Sequence, residues 1–441
     1  LCNEEELVKQ MNLSGCDFIA TALCETYPES AVALNYQSSD SSYVMYTSGT
    51  TGQPKGILVA QQNILKLAFE PGPIAINAED RVLQWSNFAF DGSTYDIYNT
   101  LLNGASLHLI SEKDAPDPHR LSQIIATHDI TVAFLTTALF NAFVDYDVKA
   151  LLGLRKLLFG GEKVSMTHVQ QALPVLGADR MIHVYGPTET TTYATYYPIR
   201  EATGSTIPIG YPLSNTNIYV VTEAGDLAGI GIPGEIWIGG AGVSKGYLNR
   251  ESLNAEKFIE DPFVVGGGCV YKTGDIGRYL PEGSVEFAGR KDSQVKLRGY
   301  RIELEEIESM IQGYAGVQRS VVQVKSDDKG NKRLVAYLVG SASYDREGLK
   351  NYLQPLLPDY MIPGVFMELP SMPLNPNGKI DKRALPAPDL SGLQTSAYVA
   401  PRNEIEEKLA GLWGELLNVE RVGVHDNFFE LGGHSLLATR V

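Results

Sequence analysis

The stretch Tyr46-Thr-Ser-Gly-Thr-Thr-Gly-Gln-Pro-Lys-Gly56 constrains this chain more than any other. It sets four Ser/Thr hydroxyls, three glycines and a lysine between two apolar runs, Tyr43-Val-Met45 and Ile57-Leu-Val59. Small residues let backbone N–H groups close around an anion, hydroxyls donate hydrogen bonds to it, and Lys55 adds charge. A nucleotide polyphosphate suits such a loop. No Gly-Lys-Ser/Thr ends it, so it is not a Walker A sequence, and by composition alone it also reads as a flexible connection.

The bulk properties narrow the setting. A chain of 441 residues is too long for one core, so two or three domains are expected. Hydrophobic content of 44% with 43 Gly and 23 Pro fits an α/β protein rich in turns. A net charge of −16 argues against nucleic acid or an anionic membrane as partner. Cys2, Cys16, Cys24 and Cys269 show no metal spacing and no dense disulfide framework, which points to a reducing cytoplasm. The first residue is Leu1, and the expectation is a piece of a larger polypeptide.

Up to about Arg290 apolar strand-like runs alternate with amphipathic segments: Ile130–Leu135, Lys156–Phe159 and Met181–Tyr185, with a helical pattern at Met166–Leu173. From Asn215 to Val243 the pattern turns to short strands, Ile218–Val221 and Gly234–Ile238, predicting a β-rich subdomain. A smaller α+β unit starts near Asp292, with a strand at Val295–Leu297, a helix at Glu303–Ile311 and a hairpin from Val321–Val324 and Leu334–Val339. A Pro-rich segment from Leu385 to Pro401 predicts an extended, semi-rigid linker. Ile405, Leu409, Leu412, Trp413 and Leu416 then fall at helical spacing in a final unit too short to close a core alone. The expected division is 1–291, a large core incomplete at its start; 292–388, a mobile subdomain; 389–401, the linker; and 402–441, an incomplete helical unit.

Several constellations carry chemistry. In Tyr185-Gly-Pro-Thr-Glu-Thr190 the aromatic suits a base, Thr188 a phosphate and Glu189 a magnesium ion. Tyr271-Lys-Thr-Gly-Asp275 sets a carboxylate after a tight turn, suited to ribose hydroxyls or to an Asx-turn. Gly289-Arg290-Lys-Asp292 supplies another cation, and Asn377-Gly-Lys379 a lysine on a late turn. With Phe90-Asp91-Gly-Ser93, Gly234-Glu-Ile-Trp-Ile-Gly-Gly240, Gln294-Val-Lys-Leu-Arg-Gly-Tyr-Arg-Ile-Glu303 and Leu357-Pro-Asp-Tyr-Met-Ile-Pro363 in register, nearly the whole chain resembles the adenylation domain of nonribosomal peptide synthetases, AMP-forming ligases. Asp426-Asn-Phe-Phe-Glu-Leu-Gly-Gly-His-Ser435 resembles the start of a peptidyl carrier domain. The family's motifs that precede the phosphate loop are missing, and the carrier's later helices are not in the sequence.

The resemblance implies a residue set. ATP would meet Thr47, Ser48, Gly49, Thr50, Thr51, Gly52 and Lys55 of the phosphate loop, with Gly161, Tyr185 at adenine, Thr188 at phosphate, and Asp275 and Arg290 at ribose. Glu189 would ligate Mg²⁺ and Lys379 would bridge the substrate carboxylate and the α-phosphate. Lys379, Thr188 and Glu189 are thus the catalytic candidates. Asp292 would be the hinge about which the small subdomain turns, exchanging Lys379 for the Gly299 loop. Ser435, before a helical run, would carry 4'-phosphopantetheine attached by a phosphopantetheinyl transferase; a helix N-terminus favours that phosphodiester. Condensation and other synthetase domains would be the neighbours, in a cytoplasmic pathway of the antibiotic-forming type.

Asp91 resembles the family's anchor for an amino acid's ammonium. The remaining pocket positions are Gly92, Tyr95, Phe134, Leu158, Gly160, Val184, Thr192 and Tyr193, closed by Lys379. Apart from Asp91 and Lys379 none is charged, and an unpaired charged side chain there would cost several kcal/mol, roughly. Gly92 and Gly160 are expected to leave room, while Phe134, Leu158 and Val184 supply apolar walls. The set resembles the family's isoleucine pattern with Tyr for Phe and Thr for Val. Leucine and valine stay open, because one methylene discriminates by only about 1–3 kcal/mol. The hydroxyls of Tyr95, Thr192 and Tyr193 depart from a wholly apolar pocket. An acyl-CoA synthetase and a non-catalytic scaffold are the competing readings; Asp91, Ser435 and Lys379 speak against them.

Overall fold

The structure is a computed structural model that describes residues 36–49, 54–111, 117–204, 206–292, 294–297, 299–326, 332–340, 345–374, 380–387, 398–417, 419, 421–428, 431, 433 and 438. The chain divides into two compact units, Leu1–Asp40 and Ser41–Val441. Of the first, only the turn at 36–40 is described.

The second unit opens with β1 (Ser41–Thr47) and β2 (Lys55–Ala60), an antiparallel pair in which Thr47 lies opposite Lys55. The phosphate-loop sequence is the connection between them. Helix α1 (Gln61–Ala68) follows, then β3 (Arg81–Gln84) and β4 (Ser106–Leu109). Between β3 and β4 run Gly92–Thr94, Tyr95–Asn99 and Thr100–Leu102, one continuous helix whose middle makes π-type turns. Such turns are rare and often mark functional sites.

Strands β5 (Val132–Thr136), β6 (Lys156–Gly160) and β7 (Met181–Tyr185) are nearly continuous apolar runs, as a parallel sheet covered on both faces requires. Helices α2 (Pro118–Thr127), α3 (Thr137–Asp147) and α4 (Met166–Leu176) connect them. Asp117 caps α2 by accepting from the His119 amide, and Thr136 caps α3 by accepting from that of Leu139. β8 (Thr195–Pro198) and β9 (Tyr211–Pro212) add antiparallel edges, and among the described residues the sheet order is β4-β3-β5-β6-β7-β8-β9. One face packs on the helices through Leu121, Phe140, Phe143, Leu157 and Phe159. The other packs Tyr95, Phe134, Leu158, Val184 and Tyr193 into a separate cluster. The motifs at Gly160 and Tyr185 therefore emerge from C-terminal strand ends, where ligands of open α/β sheets bind.

The β-rich region expected after Asn215 is an antiparallel sheet of β10 (Thr216–Val221), β11 (Gly234–Gly240), β12 (Phe258–Glu260), β13 (Cys269–Tyr279) and β14 (Val285–Arg290). Beyond it lie the hairpin β15 (Gln294–Leu297) and β16 (Tyr300–Glu303), and helix α5 (Leu304–Gln312). β17 (Val317–Ser326), β18 (Lys332–Gly340) and β19 (Val365–Glu368) form one small sheet, with α6 (Arg346–Leu353) before β19. Ile307, Ile311, Val322, Ala336 and Leu349 fill the core between α5, α6 and that sheet.

One expectation about the C-terminal part needs correcting. The Pro-rich segment is not a free spacer over its first residues. Leu385 is buried, and the Tyr337 hydroxyl donates to the Pro386 carbonyl at 2.8 Å. In line with a final unit too short to close a core alone, its helix α7 (Glu404–Leu417) is present and Leu417, Val422, Phe428 and Leu431 share one apolar cluster with Val321, Val335, Tyr337 and Leu385 of the small subdomain. Its buried apolar groups thus join a core that already exists. The helical run expected from Ser435 lies outside the described residues, save Ala438.

Candidate active site

Most of the nominated residues gather where the large sheet, the β10–β14 sheet and β16 meet. Lys55, at the start of β2, is buried; its Nζ stands 3.5 Å from Glu303 Oε1 and 5.4 Å from the Tyr247 ring centroid. Ser48 Oγ donates to the Arg301 carbonyl at 2.9 Å, and the Gly49 amide donates to Glu306 Oε2 at 3.0 Å. The Thr47 hydroxyl is buried without a partner among the described residues. An orphaned hydroxyl at the mouth of a phosphate loop is a group waiting for an acceptor. Thr50, Thr51 and Gly52 lie outside the described residues, as do Lys379 and Ser435.

Glu189 sits in the short helical turn Thr188–Thr190 after β7 and is fully buried. Its Oε1 accepts from the Tyr247 hydroxyl at 2.7 Å and its Oε2 from Arg301 Nη1 at 2.7 Å. Burial alone would raise its pKa; Arg301, Lys55 and the Tyr247 hydroxyl outweigh it and hold the carboxyl at about 2. Asp91, before the 92–102 helix, is pushed up by burial and held back by a hydrogen bond from Thr188.

The nucleotide-side residues are linked to one another. Tyr185 donates its hydroxyl to Asp275 Oδ2, whose other oxygen pairs with Arg290 Nη1. The Arg290 guanidinium also holds both oxygens of Asp292 at 2.6 Å, fixing the nominated hinge residue to the end of β14. Lys296 of β15 lies over the Tyr185 ring, 5.5 Å from its centroid. Gly161 and Gly299 both have left-handed backbones, at φ 89° and 84°. A Cβ on Gly299 would stand 2.6 Å from Thr136 Cγ2, and one on Gly161 4.0 Å from Gly299 Cα, while the Gly299 amide donates to Glu162. The Gly299 loop is therefore inserted against the ends of β5 and β6.

The pocket positions do meet, but two glycines act differently from the sequence expectation. A Cβ on Gly160 would fall 2.1 Å from the Val184 carbonyl oxygen, and one on Gly92 2.7 Å from Ser86 Oγ. Gly160 faces the backbone of the neighbouring strand and Gly92 the Ser86 and Phe134 side chains, so at neither position does the missing Cβ open onto empty space. Tyr95 is fully buried and donates its hydroxyl to the Ile74 carbonyl at 2.8 Å. Thr192, with φ 67°, donates its hydroxyl to the Asp91 carbonyl at 2.8 Å; its neighbour Thr191, at φ 60°, donates to Gly242 O at 2.9 Å. Left-handed β-branched residues are outliers that surrounding bonds must hold, and these two bonds do so. Tyr193 packs against Tyr95 and Phe134, with ring centroids 5.2 Å and 5.5 Å away, and its buried hydroxyl has no partner among the described residues. Lys66 Nζ supports this segment by donating to the Tyr193 carbonyl at 3.1 Å.

Sequence reading missed Tyr247, Lys296, Arg301, Glu303 and Glu306. The last four stand in or beside the Gln294–Glu303 motif, and charge in an otherwise amphipathic hairpin was the available signal.

Residues 4–248 match the AMP-binding enzyme family, and residues 407–441 match the phosphopantetheine attachment site family. The chain belongs to the adenylation domains of nonribosomal peptide synthetases. It is 47% identical over 403 residues to bacitracin synthase 3 and 48% identical over 403 residues to bacitracin synthase 1, both of Bacillus licheniformis. These matches cover 91% of this chain but only 6% and 8% of those synthases. The structure of holo-PA1221, a nonribosomal peptide synthetase protein containing adenylation and PCP domains bound to a vinylsulfonamide inhibitor, aligns at a TM-score of 0.82 and 31% identity. That alignment covers 96% of this chain and 70% of the other. Adenylation domains of this family are AMP-forming ligases: they activate an amino acid with ATP and load it onto the phosphopantetheine of a carrier domain, beside further synthetase domains. The fold class expected from sequence, α/β with a helical C-terminal fragment, stands. Among the described residues no helix is long and apolar enough to cross a membrane.

Magnesium is the ion associated with ATP here, and the donor set fits it. Among the described residues no group of three or more His, Cys, Asp or Glu could form a protein cage, whereas Mg²⁺ typically takes one or two carboxylates and completes its shell with phosphate and water. Glu189, a buried carboxylate, would be the residue to hold it. Bound there, the ion would neutralise charge on the phosphates.

Proposed function

We propose that this adenylation domain activates a branched aliphatic amino acid, L-isoleucine first, with Asp91 holding the ammonium. The observation that carries the reading is the direction of two pocket hydroxyls. Tyr95 and Thr192 both give theirs to backbone carbonyls, so a ring and a methyl line the cavity much as Phe and Val would. With Phe134, Leu158 and Val184 this makes an apolar wall in which a charged side chain would lie unpaired.

The roles follow from the chemistry of each group. Ser48, Gly49, Thr47 and Lys55, with Thr50, Thr51 and Gly52, hold the polyphosphate; Tyr185, Gly161, Asp275 and Arg290 hold the nucleoside; Thr188 and Glu189 serve phosphate and Mg²⁺. Lys379 stabilises charge as the carboxylate attacks the α-phosphorus and pyrophosphate leaves. Asp292 is the hinge, and Ser435 receives the phosphopantetheine arm from a phosphopantetheinyl transferase. The boundaries 1–291, 292–388, 389–401 and 402–441 divide the labour between core, mobile subdomain, linker and carrier. The cytoplasm, which supplies ATP and keeps thiols reduced, is the proposed location.

Amino-acid-dependent ATP–pyrophosphate exchange tests the substrate. L-isoleucine is expected to give the highest rate, with valine and leucine within about 10–200-fold. Aspartate, lysine or an aryl acid ranking first would overturn the pocket reading. Threonine or glutamine ranking first would mean that the Tyr193 hydroxyl selects a polar side chain.

A further inference from the structure

Four of the groups proposed for magnesium and phosphate, Ser48, Gly49, Lys55 and Glu189, each have a partner from one six-residue segment of the small subdomain. Arg301 Nη1 stands 2.7 Å from Glu189 Oε2, where a cation is needed. Glu306 Oε2 accepts from the Gly49 amide at 3.0 Å, and Glu303 Oε1 lies 3.5 Å from Lys55 Nζ, where anionic oxygens are needed. The Arg301 carbonyl takes the Ser48 hydroxyl at 2.9 Å. Glu303 and Glu306 are buried in these contacts, and Arg301 reaches the fully buried Glu189. Two of the four, Arg301–Glu189 and Lys55–Glu303, are ion pairs, and buried charges persist only when paired.

We propose that residues 301–306 are an internal replica of magnesium pyrophosphate, with Arg301 in the place of the metal and Glu303 and Glu306 in the place of phosphate oxygens. The replica and the real ligand compete for Glu189, Gly49 and Lys55. This arrangement, with the Gly299 loop inserted beside Thr136 and Glu162, forms only after magnesium pyrophosphate has left, and it then holds the phosphate loop until the next ATP binds. The inference rests on the adenylation reading and assigns positioning roles to three residues outside the catalytic set.

Two opposing effects separate the proposal from a direct role in binding. If Arg301 contacted the ligand, its loss would weaken magnesium pyrophosphate; if it competes, its loss strengthens it. A closed form populated nine parts in ten raises the apparent Kd about tenfold, and removing the replica recovers that factor. Isothermal titration of magnesium pyrophosphate into the full chain, into Arg301→Ala and into the isosteric Glu303→Gln/Glu306→Gln variant reads it directly. Both variants are expected to bind up to about tenfold more tightly. The Gln variant keeps side-chain volume, which guards against a fold defect in Arg301→Ala. Equal affinities, or weaker binding in either variant, overturn the proposal and leave the adenylation reading standing. Absence of amino-acid-dependent pyrophosphate exchange in the unaltered chain overturns both.

Discussion

Replacing Tyr95 with Phe separates a hydroxyl that faces the substrate from one that faces the protein. The Tyr95 hydroxyl donates to the Ile74 carbonyl at 2.8 Å, and both residues are fully buried. Deleting the donor removes one hydrogen bond and strands a buried acceptor, at a cost of about 1–3 kcal/mol. No cavity larger than one oxygen results, and the ring keeps its contact with Tyr193 at 5.2 Å between centroids. Tyr95→Phe should therefore lower the thermal midpoint by a few °C, read by scanning fluorimetry. The ratio of isoleucine to valine exchange should stay within about threefold of the parent, since neither substrate loses a contact. A site that hydrogen-bonds its substrate discriminates by about 10⁴–10⁵ against the analogue lacking the group. A large change in amino-acid ranking with no loss of stability would mean that the hydroxyl serves the substrate, and the apolar reading of the cavity would fall.

Other expectations concern the charged groups. Lys379→Ala should cut pyrophosphate exchange about 100-fold, since a preorganised cation at developing charge contributes roughly 3 kcal/mol; near-parental exchange would remove Lys379 from the mechanism. Asp91→Ala should weaken every amino acid by a similar factor in the same exchange assay, because the ammonium is common to all. A selective loss confined to one side chain would reassign it to the specificity pocket. Glu189 titrates at about 2 in the folded chain against an ordinary 4.5, burial being outweighed by Arg301 and Lys55. Its folded value is depressed, so its contribution to stability is fully present above about pH 4.5 and is lost as pH falls toward 2. In Glu189→Gln, melting midpoints measured between pH 5 and 3 should fall less steeply than in the parent; parallel curves would refute the assignment.

Local chemistry is legible in a sequence where the proposed partner is a ligand. The glycines, hydroxyls and Lys55 of the phosphate loop point to an anion through their spacing along one connection, the site proposed for it. Strands β5 to β7 were legible because burial on both faces forces apolar runs, with errors of a few residues at their ends: β5 starts at Val132 rather than Ile130, and α4 continues through Pro174 to Leu176. Contacts across the fold were not. Gly49 and Glu306 are 257 positions apart, and no local pattern pairs them. The glycines of the pocket misled for the same reason. What limits Gly160 is the Val184 carbonyl on the neighbouring strand, and sequence order does not give the distance between two strands. The Thr192 hydroxyl looked available to substrate because its acceptor, the Asp91 carbonyl, is a backbone atom about a hundred residues away.

The central claim, that the chain activates an amino acid and hands it to its own carrier serine, is tested most directly by intact-mass spectrometry. The protein is treated with a phosphopantetheinyl transferase and coenzyme A, then with Mg²⁺, ATP and L-isoleucine. The account predicts two successive gains, the phosphopantetheine arm and then an isoleucyl group. Lys379→Ala should show only the first, and Ser435→Ala neither, while the latter keeps pyrophosphate exchange. A modification that persists in Ser435→Ala, or an arm that is never aminoacylated by any amino acid in the presence of ATP, would contradict it.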